Sequence, residues 1–541
     1  MRTGVTAYVS STSRTHHDLT RFEDRLSGET NIKSILALEE QIREHETAIV
    51  KLKRARNSLL NISKLPPELL GDIFCRNATF KGDFGGLGKR SRNFLFVCRH
   101  WFEVASSTQE VWSFWGNTPK DWAQWHNRSG TAPLDLVLNA EWDDGSFDTT
   151  MSDVLRGRAT QDTIRRIHLR ATDSRLLESI ISPLTTDSEE LQSSSVESFI
   201  LQNGGSGGLV DISDFFANHR FPRLQRLEFY NCTISSWNLL TSRVTTLTTL
   251  DLDLFTIEPT PTTSQVLSIL VSNPTLRKVT LSMEVTHAGD DGGNPPPRAP
   301  LYHLKELKLD GYPQGIFGLL DRLELPKRMG ILDITLDECA VEDISQIIGP
   351  YIRDYLRRRG RSQLGLGLAI SSEPDIELRA GDVDGIDFSV PAPARMNTFL
   401  DITIEFNRTP SKARLEKAAL DLIAHVPREE VIYFRAYGKP LAMEEISAQL
   451  PNLRGLHFER VPLPAAFPRA VPDGDGKIFR CLQYIFLDRV FVGNGDWGPL
   501  FTFLLWRASS GNLLHSLVIV GSYRKPLAVT QMMVREFRLN P

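Results

Sequence analysis

The sequence predicts an α/β protein in which a small α-helical N-terminal module precedes an irregular, repeating region built around a parallel sheet. Three features lead to this prediction: a seven-residue apolar repeat, a short segment rich in proline, leucine and aromatic residues, and an apolar pattern that recurs to the C-terminal end. The predicted domains are a disordered segment at 1–30, a heptad helix at 31–62, a helical module at 63–118 and a repeat domain at 130–541.

Composition sets the outer limits of function. The 541 residues are 41% apolar and 24% charged, as expected for a soluble protein with more than one domain. The net charge of −4 argues against general binding to nucleic acid or to a membrane surface. No apolar run approaches the ~18 residues of a membrane span, and residues 1–30 lack the apolar centre of a signal peptide. We therefore expect an intracellular protein, cytoplasmic or nuclear, that is not secreted.

Cysteine spacing indicates neither a disulfide framework nor a zinc site. The five cysteines are odd in number and widely scattered, and no pair has Cys-x-x-Cys spacing. A reducing compartment fits this usage.

A heptad repeat precedes the helical module. One seam position is filled by Ile35, Ile42, Ile49 and Arg56, and the other by Leu38, His45, Leu52 and Leu59. The pattern predicts a helix of about 28 residues, roughly 42 Å long. His45 and Arg56 are polar, so three alternatives stay open: a homodimeric coiled coil through residues 35–62, a single helix packed on the body of the protein, and a helix that binds another partner.

Short amphipathic helices are predicted next. Pro66 or Pro67 suits the first helical turn, which leaves its N–H groups unpaired, and Glu68 suits the positive helix end. Leu69, Leu70, Ile73 and Phe74 follow at helical spacing. A second helix is expected with Asn93 as N-cap and this apolar side: Phe94, Val97, Cys98, Trp101, Val104 and Ala105. Val111, Trp112 and Trp115 are expected to open a third.

Three such helices carry more apolar surface than they can bury alone, so either a partner or the core of a larger domain must cover it. The segment Leu65-Pro66-Pro67-Glu68, the pair Ile73-Phe74, the segment Val97-Cys98-Arg99-His100-Trp101 and the pair Val111-Trp112 follow one another in order. This arrangement resembles an F-box, and many fungal F-box proteins carry a similar heptad just ahead of it. The segment Asn77–Arg92 is longer than the connection in the simplest F-boxes and leaves the register of the second helix open.

The resemblance implies docking on a Skp-type adaptor and, through it, on a cullin. It implies that the following residues contact or shape the adaptor interface: Leu65, Pro66, Pro67, Glu68, Leu69, Ile73, Phe74, Val97, Cys98, Trp101, Val111 and Trp112.

Beyond residue 130, apolar residues recur at positions i, i+3 and i+5. The copies begin at Leu224, Leu247, Leu276, Leu304, Leu453 and Leu482, and the first four fall 23, 29 and 28 residues apart. This spacing resembles leucine-rich repeats, in which each repeat supplies a short strand and a return segment. The consensus asparagine is mostly missing, with Asn231, Cys232 and Cys339 as the nearest remnants. The alternative is a non-repeating α/β domain with several parallel strands.

Weaker copies and return segments complete this region. Strands are expected at Ile164–Leu169, Ser198–Ile200, Leu332–Ile334, Ile402–Ile404, Val431–Tyr433 and Leu514–Ile519. Return helices are expected at Ser264–Asn273, Val341–Arg359, Lys412–Val426 and Ala442–Leu450. Surface loops are expected at Ala288–Pro300, Glu373–Pro393 and Pro462–Gly476.

Motifs for catalysis are weak. The segment Gly82–Arg90 superficially resembles a phosphate loop but lacks its first glycine and its Ser/Thr, and Asn203–Gly208 reads as a loop. Histidines do not occur at metal-ligand spacing, and paired carboxylates lie in polar surroundings. The basic cluster Arg353 and Arg357–Arg361 is a solvated helix end or, alternatively, a site for an anionic target. We expect no catalytic residue, no cofactor and no metal, hence a protein that is not an enzyme.

The expected function is that of a substrate-recognition subunit of an SCF-type ubiquitin ligase. The F-box-like segment would dock on the adaptor, and the repeat domain would bind a protein substrate whose identity the sequence does not show. No nucleic-acid or membrane partner is expected. The alternatives are a scaffold that binds the adaptor without promoting ubiquitination, and an enzyme built on the repeat domain.

Overall fold

The computed structural model describes the larger part of the chain. The described residues are 30–78, 89–115, 122–140, 149–160, 163–185, 192–204, 208–283, 298–327, 329–359, 364–370, 375–383, 397–406, 411–438, 443–462, 467, 479–492, 497–520 and 534–540. The predicted disordered segment, most of the phosphate-loop-like segment and most of the first and third predicted loops lie outside these ranges.

The chain divides into two compact units. The first comprises Met1–Phe114 and Trp125–Gly130, and the second comprises Trp115–Gln124 and Thr131–Pro541. The first is helical and the second contains a large, mostly parallel sheet. The mixed α/β class predicted from the sequence is therefore confirmed.

The first unit begins with the heptad helix. Helix α1 spans Thr30–Ser58, so the predicted helix is confirmed but ends four residues before 62. Leu60 has an extended backbone (ψ 136°), which ends the helical hydrogen bonding, and a 3-10 helix follows at Asn61–Lys64. The heptad seam is not covered by the described part of the chain: Ile35, Ile42, Ile49 and Leu52 are 48, 57, 50 and 71% exposed.

The helix that begins at the prolines starts where it is predicted, and the helix predicted from Asn93 starts later than expected. Helix α2 spans Pro67–Ala78. A 3-10 helix at Lys89–Phe96 contains Asn93, which therefore does not cap an α-helix. Cys98 is extended (φ −162°, ψ 168°), and helix α3 begins only after it, at Arg99–Ser107. The tighter 3-10 turn places Phe94 so that its ring stacks on that of Phe74. The extended residue Cys98 changes the direction of the chain, and Trp101 packs on the same Phe74 ring.

The predicted third helix is a single turn. Helix α4 spans Gln109–Trp112, and Trp115 lies instead in a two-residue strand, Phe114–Trp115. Helix α5 spans Trp122–Ser129.

The second unit alternates strands with helices. Its longer strands are β1 Leu134–Ala140, β2 Ile164–Ala171, β3 Ser198–Asn203, β4 Arg226–Tyr230, β5 Thr249–Asp253, β6 Lys278–Met283, β7 Glu306–Gly311, β8 Ile331–Cys339, β9 Leu364–Ile370, β10 Asp375–Asp382, β11 Asn397–Phe406, β12 Val431–Gly438, β13 Gly455–Glu459, β14 Tyr484–Asp488, β15 Leu514–Val520 and β16 Val534–Asn540. Two-residue strands occur at Gln192–Ser193, Val210–Asp211, His219–Arg220, Cys232–Thr233, Ala299–Pro300 and Leu323–Glu324.

The helices of this unit connect the strands. They are α6 Thr149–Thr160, α7 Ser174–Ile181, α8 Ser213–Asn218, α9 Trp237–Arg243, α10 Thr263–Ser272, α11 Pro313–Leu320, α12 Val341–Asp343, α13 Gly349–Arg359, α14 Lys412–His425, α15 Met443–Gln449 and α16 Gly498–Ser509. A π-helix at Ile344–Ile348 joins α12 to α13, and a 3-10 helix lies at Ser182–Leu184. The four predicted return helices are confirmed by α10, α12–α13, α14 and α15.

Strand order in the sheet follows chain order with one exception. Strands β1 to β8 pair in sequence and in parallel, as do β12 to β16. Between them the order is β8, β11, β10, β9, β12, and β10 runs antiparallel to both its neighbours. The strands predicted from the apolar pattern are all present.

The predicted apolar positions stack in register to form the core. Leu227 of β4 pairs with Leu250, which pairs with Val279, which pairs with Leu307. All four side chains are fully buried. Since side chains of a strand alternate between its faces, the residues between them form a second, polar face of the sheet.

The prediction of a surface loop at Glu373–Pro393 is wrong for its first half. Residues Asp375–Asp382 form strand β10, with Ile376, Leu378 and Ala380 buried. Charged residues alternate with these apolar ones, and this period of two is what a half-buried strand requires. The surrounding Gly and Pro residues obscured it.

None of the helices described is both long enough and apolar enough to cross a membrane.

Candidate functional site

The first unit has a small aromatic core. Phe74 stacks on Phe94 with ring centroids 4.5 Å apart and packs on Trp101 at 5.2 Å. The Trp112 indole N–H donates to the carbonyl of Ala105 at 2.7 Å. Phe74, Val111 and Trp112 are thus buried within this unit.

Other residues singled out from the sequence lie at the surface of this unit. Pro66, Pro67 and Glu68 are exposed in and before the first turn of α2. Leu69 is 52% exposed and Val97 is 48% exposed, both large fractions for aliphatic side chains. The remaining four are half-buried: Leu65, Ile73, Cys98 and Trp101.

Several exposed apolar residues of the same unit were missed. Phe96 is 87% exposed and Phe102 is 43% exposed. Leu60 and Ile62 are 49 and 37% exposed, and Leu59, predicted only as a seam residue of the heptad, is 77% exposed. The available signal was that Phe96 and Phe102 fall off the apolar stripe of the predicted second helix, which is where a surface-facing residue must lie. The unit therefore exposes apolar side chains from its 3-10 helices, from α2 and from α3.

Two polar groups next to this core are a neutral thiol, that of Cys75, and a guanidinium paired with an aromatic ring, that of Arg128. Burial, followed by the neighbouring Glu110 and Asp72, raises the pKa of Cys75 to about 11, so this cysteine is a thiol at neutral pH. The guanidinium of Arg128 lies over the Trp112 ring, 4.4 Å from its centroid. A thiol with a raised pKa is a poor nucleophile and a poor metal ligand.

The polar face of the sheet in the second unit carries carboxylates at the carboxyl ends of its central strands. Asp253, Asp310, Asp337 and Glu405 come from β5, β7, β8 and β11. Burial raises the pKa of Asp310, and the neighbouring Glu405 and Asp253 raise it further. The pKa of Asp337 is likewise raised by burial and then by Asp310. This edge of the sheet is therefore negative and suits a cationic group on a partner.

A histidine and two carboxylates meet further along the same sheet. One ring nitrogen of His457 and one oxygen each of Glu459 and Asp488 all lie within 4.8 Å of one another. His457 and Glu459 are two residues apart on β13, hence on one face, and Asp488 pairs with Glu459 from β14. Within the described ranges this is the group whose donors converge as metal ligands do. No sequence spacing announces it, because the strands are far apart in the chain.

The basic cluster predicted at the end of α13 is in part structural. Arg359 has a side chain only 8% exposed, its guanidinium lies 3.6 Å from the Phe399 ring centroid, and it donates to the carbonyl of Met329 at 2.7 Å. Arg357 and Arg358 lie in the last turn, where cations suit the negative helix end. Gly360 and Arg361 lie outside the described residues.

No family model matches the chain, and no curated protein matches it in sequence.

Proposed function

We propose that this protein is the substrate-recognition subunit of an SCF-type ubiquitin ligase, with the first unit as an F-box that docks on a Skp-type adaptor. The observation that carries the proposal is the set of exposed apolar residues, above all Leu69, Phe96 and Val97, on a unit of short helices. Covering a fully exposed Leu, Val or Phe side chain contributes about 1.5–3 kcal/mol, and Leu69 and Val97, which are 52 and 48% exposed, would each contribute about half of that. Exposed apolar side chains do not stabilise a monomeric unit. On a docking surface they stabilise the complex when the partner covers them.

The buried residues of the F-box-like pattern support the same proposal indirectly. Phe74, Val111 and Trp112 fix the positions of α2, α3 and α4, and so fix where Leu69, Val97 and Trp101 stand. In this proposal they shape the adaptor interface without touching the adaptor.

The second unit would bind the target as an irregular, leucine-rich-repeat-like solenoid. Parallel strands in chain order, apolar residues in register and helical return segments support that architecture. The polar face of the sheet, with its negative edge at Asp253, Asp310, Asp337 and Glu405, would present the recognising side chains.

Such a subunit accelerates ubiquitin transfer by proximity and not by chemistry of its own. A bound target is held at a fixed distance from a charged conjugating enzyme elsewhere in the assembly, which raises the effective concentration of its lysines. The protein's own residues contribute binding and orientation only.

The test is binding of the full chain to a purified Skp-type adaptor by calorimetry. The variant combines Leu69→Asp with Phe96→Asp, both at exposed positions, and we expect at least a roughly thirtyfold loss of affinity. Leu505→Asp is the matched control, since Leu505 is an equally exposed leucine (55%) in the second unit, and it should bind as the wild type does. Failure of the folded wild-type chain to bind the adaptor would overturn the F-box assignment.

A second experiment distinguishes the ligase subunit from a scaffold that only binds the adaptor. The wild-type complex with the adaptor is offered a cullin, and co-elution of all three supports the ligase. A stable pair with the adaptor that excludes the cullin would instead establish a scaffold that does not promote ubiquitination.

A further inference from the structure

The group formed by His457, Glu459 and Asp488 contains two buried polar atoms without a hydrogen-bond partner. They are Nε2 of His457 and Oδ1 of Asp488. His457 is 0% exposed. Leaving a buried polar atom unpaired costs about 1–3 kcal/mol, so an ion or a water molecule that satisfies both atoms would stabilise the group.

The other ring nitrogen of His457 is already held. Nδ1 lies 2.9 Å from the hydroxyl oxygen of Tyr433. With Nδ1–H donating to that oxygen, Nε2 carries the lone pair, as metal-ligating histidines oriented by an outer partner do. The edge of the imidazole also packs on the Phe486 ring, with centroids 4.7 Å apart, which fixes its plane.

The imidazole is neutral at physiological pH. Burial, and then the positive charge of Arg435, lower the pKa of His457 to about 3.

Arg435 supplies a positive charge to the group as it stands. Its guanidinium donates to Glu459, whose side chain is 14% exposed, while that of Arg435 itself is 43% exposed. The arginine can therefore swing into solvent when another cation takes its place on the carboxylate. Arg489, 3.7 Å from Asp488 Oδ1, is 64% exposed and contributes little.

We propose that His457, Glu459 and Asp488 bind one divalent transition-metal ion, with Nε2 and one oxygen from each carboxylate as ligands. One imidazole and two carboxylates suit a borderline cation such as Zn²⁺ or Co²⁺. Donors of a tetrahedral zinc site lie about 3.4 Å apart, so the present group needs side-chain shifts of about 1 Å to close. Three protein ligands leave a fourth position for water or for a donor from a bound partner.

The test is titration of the full chain, freed of metal by a chelator, with Co²⁺ followed by visible absorbance and with Zn²⁺ followed by calorimetry. We expect one equivalent to bind, with the intense d–d absorption of a four- or five-coordinate Co²⁺ ion. His457→Gln and Asp488→Asn should each weaken binding at least about tenfold.

His168→Gln is the matched control. His168 is also a buried histidine on the polar face of the sheet, but its Nε2 lies 2.7 Å from the hydroxyl of Ser198 and it belongs to no group of converging carboxylates among the described residues. This variant should bind Co²⁺ as the wild type does. Binding that is lost equally in His168→Gln, or that persists in His457→Gln, would assign the metal to other histidines and overturn the proposal.

Arg435→Gln distinguishes a metal site from a purely structural ion-pair network. Removing the competing guanidinium should tighten metal binding by about fivefold, the scale of a partly exposed ion pair. A misfolded variant cannot bind more tightly, so this result cannot come from damage to the fold. Unchanged or weaker binding by folded Arg435→Gln, or no stoichiometric binding by the wild type, would contradict the site.

Discussion

Asn203 and Asn231, 28 residues apart at the ends of neighbouring strands, bind each other's backbone reciprocally. The Asn203 amide donates to the Asn231 carbonyl at 3.2 Å, and the Asn231 amide donates to the Asn203 carbonyl at 3.2 Å. Asn203 also donates to the carbonyl of Gly208 at 2.7 Å. Asn231 adopts a positive φ of 60°, a conformation that asparagine tolerates better than most residues. The pair joins strands β3 and β4 at the point where their ladder ends.

Replacing these asparagines should destabilise the second unit in a definite order. Asn203→Ala removes the donor of two part-buried hydrogen bonds, to the carbonyls of Gly208 and Asn231, and should cost about 1–3 kcal/mol in total. Asn231→Ala loses one bond and adds backbone strain of about 1 kcal/mol, whereas Asn231→Gly loses only the bond. Chemical denaturation should therefore rank Asn231→Gly above Asn231→Ala in stability. A double variant, Asn203→Ala with Asn231→Gly, that loses less stability than the sum of the two single changes would show that the two hydrogen bonds support each other.

The buried guanidinium of Arg507 should be equally important at the other end of the sheet. It is 3% exposed and donates to the carbonyls of Phe479 at 2.6 Å and Leu482 at 2.7 Å. Burial lowers the pKa of Arg507 to about 10, which still leaves it charged at neutral pH. Arg507→Met keeps the volume but orphans both carbonyls, and should lower stability by about 2–4 kcal/mol. Arg428→Met, at an exposed arginine, is the control for thermal denaturation and should leave the midpoint within about 1 °C.

Asp251 should make the second unit less stable as the pH rises. Burial is the main reason that the pKa of Asp251 rises from 3.8 to about 6, and Glu228 adds to it, while Tyr230, Lys278 and Arg226 oppose it. Because the folded pKa lies above the unfolded one, ionisation opposes folding, and stability is lost as the pH rises from about 4 to 6.

Asp251→Asn removes this titration. The variant should unfold at higher denaturant concentration than the wild type at pH 7.5, and the difference should shrink below pH 6 and vanish near pH 4. Asp214→Asn, at an exposed aspartate, serves as the control. A gain that is the same at pH 4 and pH 7.5 would show that charge on Asp251 is not its cause.

The spacing of apolar residues predicted most of the architecture, because each strand and each return helix carries a short apolar pattern of its own. Leu227, Leu250, Val279 and Leu307 could be placed in one core row from spacing alone, since each is the second apolar residue of the same short motif. Strand β10 was missed because its alternation lies between Gly- and Pro-rich stretches. The seven-residue repeat predicted α1 but not its early end at Ser58, which depends on a single extended residue, Leu60.

The candidate sites were harder to predict because they depend on tertiary contacts. Phe74 and Leu69 both belong to the F-box-like pattern, yet only packing decides that the first is core and the second is surface. His457, Glu459 and Asp488 come from two strands with no characteristic spacing between them. Asn231 was recognised as a remnant of a repeat asparagine, but its partner Asn203 was read only as the start of a loop.

The charge distribution along α1 distinguishes the alternatives for this helix. Its acids are Glu39, Glu40, Glu44 and Glu46, and four bases follow them toward the C-terminal end, Lys51, Lys53, Arg54 and Arg56; two further bases, Lys33 and Arg43, lie in the first half. A parallel in-register pair of helices would place like charges side by side and Arg56 against its own copy. An antiparallel pair places acidic halves against basic halves, seats Ile42 opposite Leu52 of the second copy, and brings Glu39 next to Lys53 of that copy.

If a second copy of α1 covers the exposed seam, reversing the charges at both positions 39 and 53 should restore the dimerisation that either single reversal weakens. Glu39→Lys alone and Lys53→Glu alone each replace two attractive contacts by repulsive ones and should weaken dimerisation by roughly fivefold to tenfold, whereas the double variant should restore it. Sedimentation equilibrium of the full chain gives the dissociation constants, and added salt should reduce the effect of either single change because these charges are exposed. Dimers without rescue would indicate parallel helices, since positions 39 and 53 are then far apart. A wild-type chain that stays monomeric at tens of micromolar would leave the seam to a different partner, because Ile35, Ile42, Ile49 and Leu52 are too exposed to be explained by packing within the described part of the chain.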